Sequence, residues 1–151
     1  MNVKDVLVAQ LNANLENTWF VALLNSIEGL TEEQAQWKPD DTAHSISEIV
    51  NHLIFYNQRY LNRFNNVPNP KNEDSNTFKN RDGMNWNDKV KRIYDIMAEW
   101  KNTVEEAEPI NLEKMVAEIA HLTLHTTYHT GQIIYIRKLQ DNWDSKDGVS
   151  G

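Results

Sequence analysis

The clearest helical pattern of the chain lies in residues 45–64, which read SISEIVNHLIFYNQRYLNRF. Its large apolar residues recur at intervals of three and four, the spacing that places side chains on one face of an α-helix. Ser45 and Glu48 fit a capping box, in which each side chain bonds the backbone N–H of the other residue. We therefore predict an amphipathic helix from Ser45 to about residue 66, ahead of Pro68 and Pro70. Its apolar positions are Ile46, Ile49, Leu53, Tyr56, Tyr60 and Phe64.

Similar patterns occupy most of the remaining chain. An apolar stripe predicts a first long helix over residues 3–29, which Gly29 can end. Thr31 and Gln34 fit a second capping box, for a short helical turn that closes before Pro39. Patterns over about 87–107 and about 111–139 predict two more long helices, the last with Asn111 as its N-cap. The predicted fold is all-α, a four-helix bundle with a short extra helical turn. The first stripe consists of Leu7, Leu11, Leu15, Trp19 and Leu23.

Two polar segments complete the predicted organisation. Residues 66–86 are rich in Asn, Pro and charged groups, and we predict a long loop there. Loops of this length inside a compact domain are uncommon and often functional. A polar tail starts at about residue 141, with Trp143 as its only large apolar side chain. We predict one domain over residues 1–151, with the five tryptophans mostly in packing positions: Trp19, Trp37, Trp86, Trp100 and Trp143.

Composition limits the classes of function. The chain has 151 residues, a net charge of −7 and no cysteine. The acidic surface argues against a nucleic-acid partner, and the lack of cysteine rules out disulfides, thiolate metal sites and a cysteine nucleophile. The N-terminus lacks the features of a signal peptide, and no apolar stretch approaches the roughly 20 residues that span a bilayer. We expect a cytoplasmic protein without a membrane partner.

Histidine placement carries the clearest functional signal. His121, His125 and His129 lie four residues apart on the last predicted helix, so successive rings share one face. His52 lies among core positions of the helix over residues 45–66. If these two helices pack together, three imidazoles can converge on a cation such as zinc, nickel, copper or iron. Spacing alone leaves open whether the pair is His121 with His125 or His125 with His129. It is also compatible with ordinary polar histidines.

Three segments together resemble a known family. They are LTEEQAQWKP at residues 30–39, SISEIVNHL at 45–53 and HTTYHTGQI at 125–133. In this order they resemble the DinB-like superfamily of four-helix-bundle metalloenzymes, which includes the YfiT-like proteins and thiol S-transferases. The resemblance implies that the metal ligands are His52, His125 and His129. His121 is then a pocket residue or a plain polar helix residue, and His44 is a solvent-facing residue at a helix end.

The implied site favours an enzyme. Structural zinc sites usually have four protein ligands, whereas three histidines leave a position open for chemistry on water or a thiol. The expected cofactor is one divalent metal ion, with zinc or nickel favoured, and the resemblance adds a low-molecular-weight thiol. A hydrolase or S-transferase acting on a small molecule is therefore predicted, in a homodimer as the resemblance implies. The alternatives are a non-catalytic metal-binding stress protein and a helical interaction module.

No catalytic acid or base is evident from the sequence. Glu48 is better explained by capping, and Tyr56 and Tyr128 are better explained by core packing than by pocket hydroxyls. Gly131 costs about 1 kcal/mol relative to alanine inside a helix, which suggests either close approach of a neighbouring helix or simple tolerance. Gln132 lies three residues past His129 and is placed to bond a neighbouring helix.

Overall fold

The computed structural model describes residues 1–150 and is all-α over that range. Four long helices and three short ones follow in chain order, with a single 3-10 turn at Ser145–Asp147. The long loop predicted at 66–86 occupies the stretch between the fourth and fifth helices. The helices are α1 (Val3–Leu15), α2 (Leu23–Ser26), α3 (Glu32–Gln36), α4 (Ile46–Phe64), α5 (Trp86–Glu106), α6 (Pro109–Glu113) and α7 (Val116–Leu139).

The long helices α1, α4, α5 and α7 form a bundle around one apolar core. Around the bundle, α1 packs against α5 and α7, and α4 packs against the same two helices. Trp100 of α5 is fully buried, and its indole N–H donates to the carbonyl oxygen of Asn57 on α4 at 3.1 Å. This arrangement meets the condition set by the sequence pattern, because α4 and α7, the two helices with the conspicuous histidines, are direct neighbours.

The prediction of one helix over residues 3–29 is wrong. Helix α1 ends at Leu15, and only the four residues of α2 resume the helix. The side chain of Asn17 accepts a hydrogen bond from Ala22 N at 2.9 Å, which stabilises the irregular link. Short polar side chains compete in this way with helical backbone bonds. Trp19, counted in the apolar stripe, therefore lies on the link and is 95% exposed.

The last predicted helix is interrupted as well. Pro109 starts α6 instead of merely separating helices, and Asn111 lies inside α6, so it is not an N-cap. A break at Lys114 and Met115 precedes α7. The capping boxes at Thr31 and Ser45 are both confirmed, with all four of their hydrogen bonds present.

The tryptophan prediction is partly right. Trp86 and Trp100 are buried and Trp143 is partly buried against Arg137, whereas Trp19 and Trp37 are exposed. None of the helices over residues 1–150 has both the length and the apolar character needed to cross a membrane.

Candidate metal centre

Three imidazole rings meet between α4 and α7. His52 comes from α4, and His125 and His129 come from successive turns of α7. The Nε2 atom of His125 lies 3.0 Å from that of His52 and 3.0 Å from that of His129. His129 is buried, and the other two rings are partly buried. The structure therefore brings together the three histidines named from the sequence and leaves His121 and His44 outside the cluster.

The spacing of these nitrogen atoms fits a shared metal ion. Imidazole nitrogens at about 2.0–2.1 Å from a tetrahedral zinc ion lie about 3.3–3.4 Å from one another. The observed 3.0 Å separations are a few tenths of an ångström shorter. All three candidate ligand atoms lie within 4.8 Å of one another, so small ring rotations bring them to a common ion. Their chemistry suits zinc, nickel, copper or iron.

Hydrogen bonds on the far sides of two rings orient the lone pairs inward. His129 Nδ1 lies 2.7 Å from Gln132 Oε1. Because an amide oxygen only accepts, Nδ1 is the protonated atom and Nε2 keeps its lone pair. His52 Nδ1 lies 2.6 Å from the hydroxyl of Thr77, which can accept its proton in the same way. Such partners fix the tautomer and the ring orientation of metal-binding histidines. Gln132, expected to bond a neighbouring helix, thus bonds a histidine of its own helix.

The loop before α5 packs directly on this cluster. The ring of Phe78 stacks on His52 with centroids 4.1 Å apart and on His44 with centroids 3.7 Å apart. Asn51 anchors the loop by donating from its side chain to the Phe78 carbonyl oxygen at 2.9 Å. Thr77 is 5% exposed, so its bond to His52 is shielded from water. Part of the 66–86 segment is therefore a wall of the site.

Burial keeps the three imidazoles neutral. Desolvation, followed by the neighbouring His129 and His125 rings, lowers the pKa of His52 from 6.5 to about 4. Desolvation is also the main reason that the pKa values of His125 and His129 are lowered. The hydrogen bond that His129 donates to Gln132 acts in the opposite direction and raises the pKa of His129. Neutral rings at pH 7 are the form that binds a metal ion.

A cavity of about 300 Å³ opens beside the cluster. Its size is at the lower end for small-molecule sites. It gives a small molecule access to His52 and His125 and exposes four further polar groups to that molecule. Its lining residues are His52, Tyr56, Tyr60, Glu118, His121, Leu122 and His125.

The structure also shows the positions of the other polar and aromatic residues that the sequence singled out near the site. His121 is exposed and lines the cavity, which matches the pocket alternative. Glu48 completes its capping box with Ser45, as the capping explanation requires. It also forms an ion pair with Lys38 at 2.9 Å. Tyr56 packs against the core as expected and also lines the cavity. Tyr128 is 65% exposed, so core packing is wrong for Tyr128. His44 is exposed at a helix end, although its ring stacks on Phe78.

Sequence reasoning missed three residues of the site. Glu118 precedes His125 by seven residues, a spacing that returns to the same helix face and could have revealed it. Thr77 and Phe78 lie in a loop without periodicity, so no sequence signal placed them against His52. The space beside Gly131 is open, because no heavy atom outside the local backbone of its own helix lies within 4 Å of the position that a Cβ would take there. Within this chain, no neighbouring helix packs closely against Gly131, so that explanation of the glycine is excluded.

These features define a class of protein: an all-α bundle with a cluster of three histidines, suited to a metal ion, between two adjacent helices. The sequence profile of the DinB superfamily matches residues 14–133, which is most of the chain and includes all three histidines. The chain belongs to the DinB superfamily. No curated protein and no solved structure matches it.

Proposed function

We propose that the protein binds one divalent metal ion through His52, His125 and His129 and uses it to activate a thiol or water for reaction with a small molecule. The convergence of the Nε2 atoms of the three rings supports the proposal. The Nδ1 atoms of His52 and His129 contact Thr77 and Gln132, and these contacts keep the Nε2 atoms directed at a shared ion. Zinc and nickel are the favoured ions, and both suit imidazole ligands.

The residues around the site support catalysis over structural metal binding. No carboxylate or sulfur atom among residues 1–150 joins the histidine cluster as a fourth candidate ligand. A position is thus left for an exogenous group, and a bound divalent ion would supply Lewis-acid activation of that group. Glu118, His121 and Tyr56 line the adjoining cavity, where they can bind the substrate or carry protons. Because the chain has no cysteine, a reacting thiol comes from a separate molecule.

Metal content tests the proposal directly. Wild-type protein purified without a histidine tag should hold about one equivalent of zinc or nickel by mass spectrometric elemental analysis. His125→Ala should lose most of it, since the Nε2 atom of His125 lies 3.0 Å from the Nε2 atoms of both other rings. His121→Ala is the matched control, one turn away on the same helix, and should keep the metal. Full metal content in His125→Ala would refute the ligand set.

Activity assays separate the remaining alternatives. Consumption of a low-molecular-weight thiol with an electrophile indicates an S-transferase, and ester or amide cleavage indicates a hydrolase. Either activity should be lost with a chelator and return with the metal. Metal-loaded protein without turnover in both assays would favour the metal-binding stress protein. Tag-free protein without metal would favour the interaction module.

We further propose that the homodimer forms through one exposed face of α7. Large side chains on this face remain in solvent, with Leu124, Tyr128 and Tyr135 each at least 59% exposed. Exposed apolar faces of this kind mark interaction sites. Gly131 lies mid-way along the face with open space above it, so an identical helix can cross there closely in a two-fold contact. The face consists of Leu124, Tyr128, Gly131, Tyr135 and Leu139.

A further inference from the structure

A second cleft collects positive charge in an otherwise acidic protein. The cleft lies between α4, the start of α5 and the loop that joins them, and its volume is about 320 Å³. Four cationic side chains line it against one carboxylate, that of Asp82. The whole chain has a net charge of −7, so this concentration of cations runs against its overall charge. The four cations are Arg59, Lys71, Arg81 and Arg92.

None of these four cations is paired with a carboxylate within 4.0 Å over residues 1–150. Four lysines elsewhere do form such ion pairs, and the chain contains 22 Asp and Glu residues. Like charges held close together repel one another, and a bound anion removes that cost. Arg92 and Lys71 also make no side-chain hydrogen bond within the described chain, so all of their donors remain available to a ligand.

The other two arginines are already held in place. The guanidinium of Arg81 lies 4.8 Å from the ring centroid of Phe55 and donates to Asn72 Oδ1 at 2.6 Å. It also donates to the carbonyl oxygens of Asp74 and Asn76. The Nε–H of Arg81 makes no hydrogen bond within residues 1–150. The guanidinium of Arg59 lies 5.7 Å from the same ring. Cations fixed before binding lose less conformational entropy when a ligand arrives.

We propose that Arg59, Lys71, Arg81 and Arg92 bind the phosphate or carboxylate group of a small molecule. Guanidinium groups present parallel N–H donors that match the oxygen atoms of both groups. The cleft volume fits a small molecule, and the Phe55 ring gives it an apolar wall. The cleft and the metal cavity share no lining residue. The anion site is therefore separate from the metal centre and does not depend on the proposed function.

Calorimetric titration at constant ionic strength tests the site with two probes, inorganic pyrophosphate and tricarballylate. Wild-type protein should bind at least one of them saturably at a single site. Binding of pyrophosphate alone identifies a phosphate site, binding of tricarballylate alone identifies a carboxylate site, and binding of both identifies a general oxyanion site. Each of these results supports the proposal. The absence of saturable binding with both probes overturns it.

Matched variants locate the site. Arg59→Gln and Arg92→Gln should each weaken binding at least tenfold. Arg63→Gln makes the same charge change one turn along α4, outside the cleft, and should weaken binding less than twofold. Equal weakening by Arg63→Gln would show unspecific attraction and overturn the proposal. The affinity should persist in His125→Ala, which separates the anion site from the metal centre, and a loss there would overturn the independence of the two sites. Circular dichroism checks the folding of each variant.

Discussion

Thr77→Val tests how the loop before α5 prepares the metal centre. The substitution keeps the shape of a side chain that is 5% exposed and removes the hydroxyl that lies 2.6 Å from His52 Nδ1. Without that partner, the ring of His52 loses its preferred tautomer and part of its fixed orientation. Loss of such a partner typically lowers metal affinity about 10–100-fold, or about 1.4–2.7 kcal/mol. The bond is short and shielded from water, and Gln132 continues to orient His129. We therefore expect a loss within this range and not a complete loss.

The measurement is a zinc titration against a chromophoric chelator at pH 7.5. Thr126→Val is the matched control, because Thr126 is fully buried and its hydroxyl donates only to the Leu122 carbonyl oxygen of its own helix. Melting curves of the metal-free proteins show whether either variant is broadly destabilised. Zinc affinities of Thr77→Val and Thr126→Val that agree within twofold would refute the role of Thr77.

Two other predictions concern protons and assembly. The pKa of His52 is about 4 when folded and 6.5 ordinarily, so the unfolded chain binds more protons between these values. Lowering the pH from 6.5 to 4 should therefore destabilise the metal-free protein, and it should release the ion from the metal-loaded protein. Chemical denaturation of the first and metal retention of the second, measured across this range, check these expectations. A flat stability profile would contradict the burial of His52. If the proposed homodimer forms through α7, light scattering should show a dimer for the wild type and a monomer for Tyr135→Glu. Ile110→Glu, equally exposed but on α6, should remain dimeric. A dimer in both variants would exclude the α7 face, and a monomeric wild type would refute the dimer.

Much of the fold follows from local sequence rules. The capping boxes at Thr31 and Ser45 were readable because each requires only two side chains at fixed spacing. Helices α4 and α5 match their predicted limits within about two residues, the usual uncertainty of helix ends. The first helix failed because the four-residue stripe continues through Trp19, while Asn17 stabilises an irregular link at the same place. Apolar spacing does not report this competition between side chain and backbone.

For the candidate site too, helical spacing revealed some residues, and those placed by long-range packing could not be predicted. His125 and His129 share a helix face by spacing alone, and His52 was noticed because it lies among the core positions of α4. The family resemblance then implied that the pair on α7 is His125 with His129. The contacts of Thr77 and Phe78 with His52 span about 25 residues of chain and arise from loop packing, which has no periodic signature. Tyr128 shows another limit, because its place in the helical pattern does not say which faces of α7 other helices cover. Its exposure became evident only from the packed bundle.

The position of Phe78 has a consequence for how this protein can vary. Surface loops usually accept insertions and deletions at little cost, because closing a longer loop adds only a small entropy term. Here Asn51 holds the Phe78 backbone, and the Phe78 ring lies flat on a histidine of the cluster. Residues added or removed just before Phe78 would shift that ring away from His52. The stretch leading to Thr77 is therefore expected to keep a fixed length. The link around Trp19 contributes no residue to the cluster, so the metal centre places no such limit on its length.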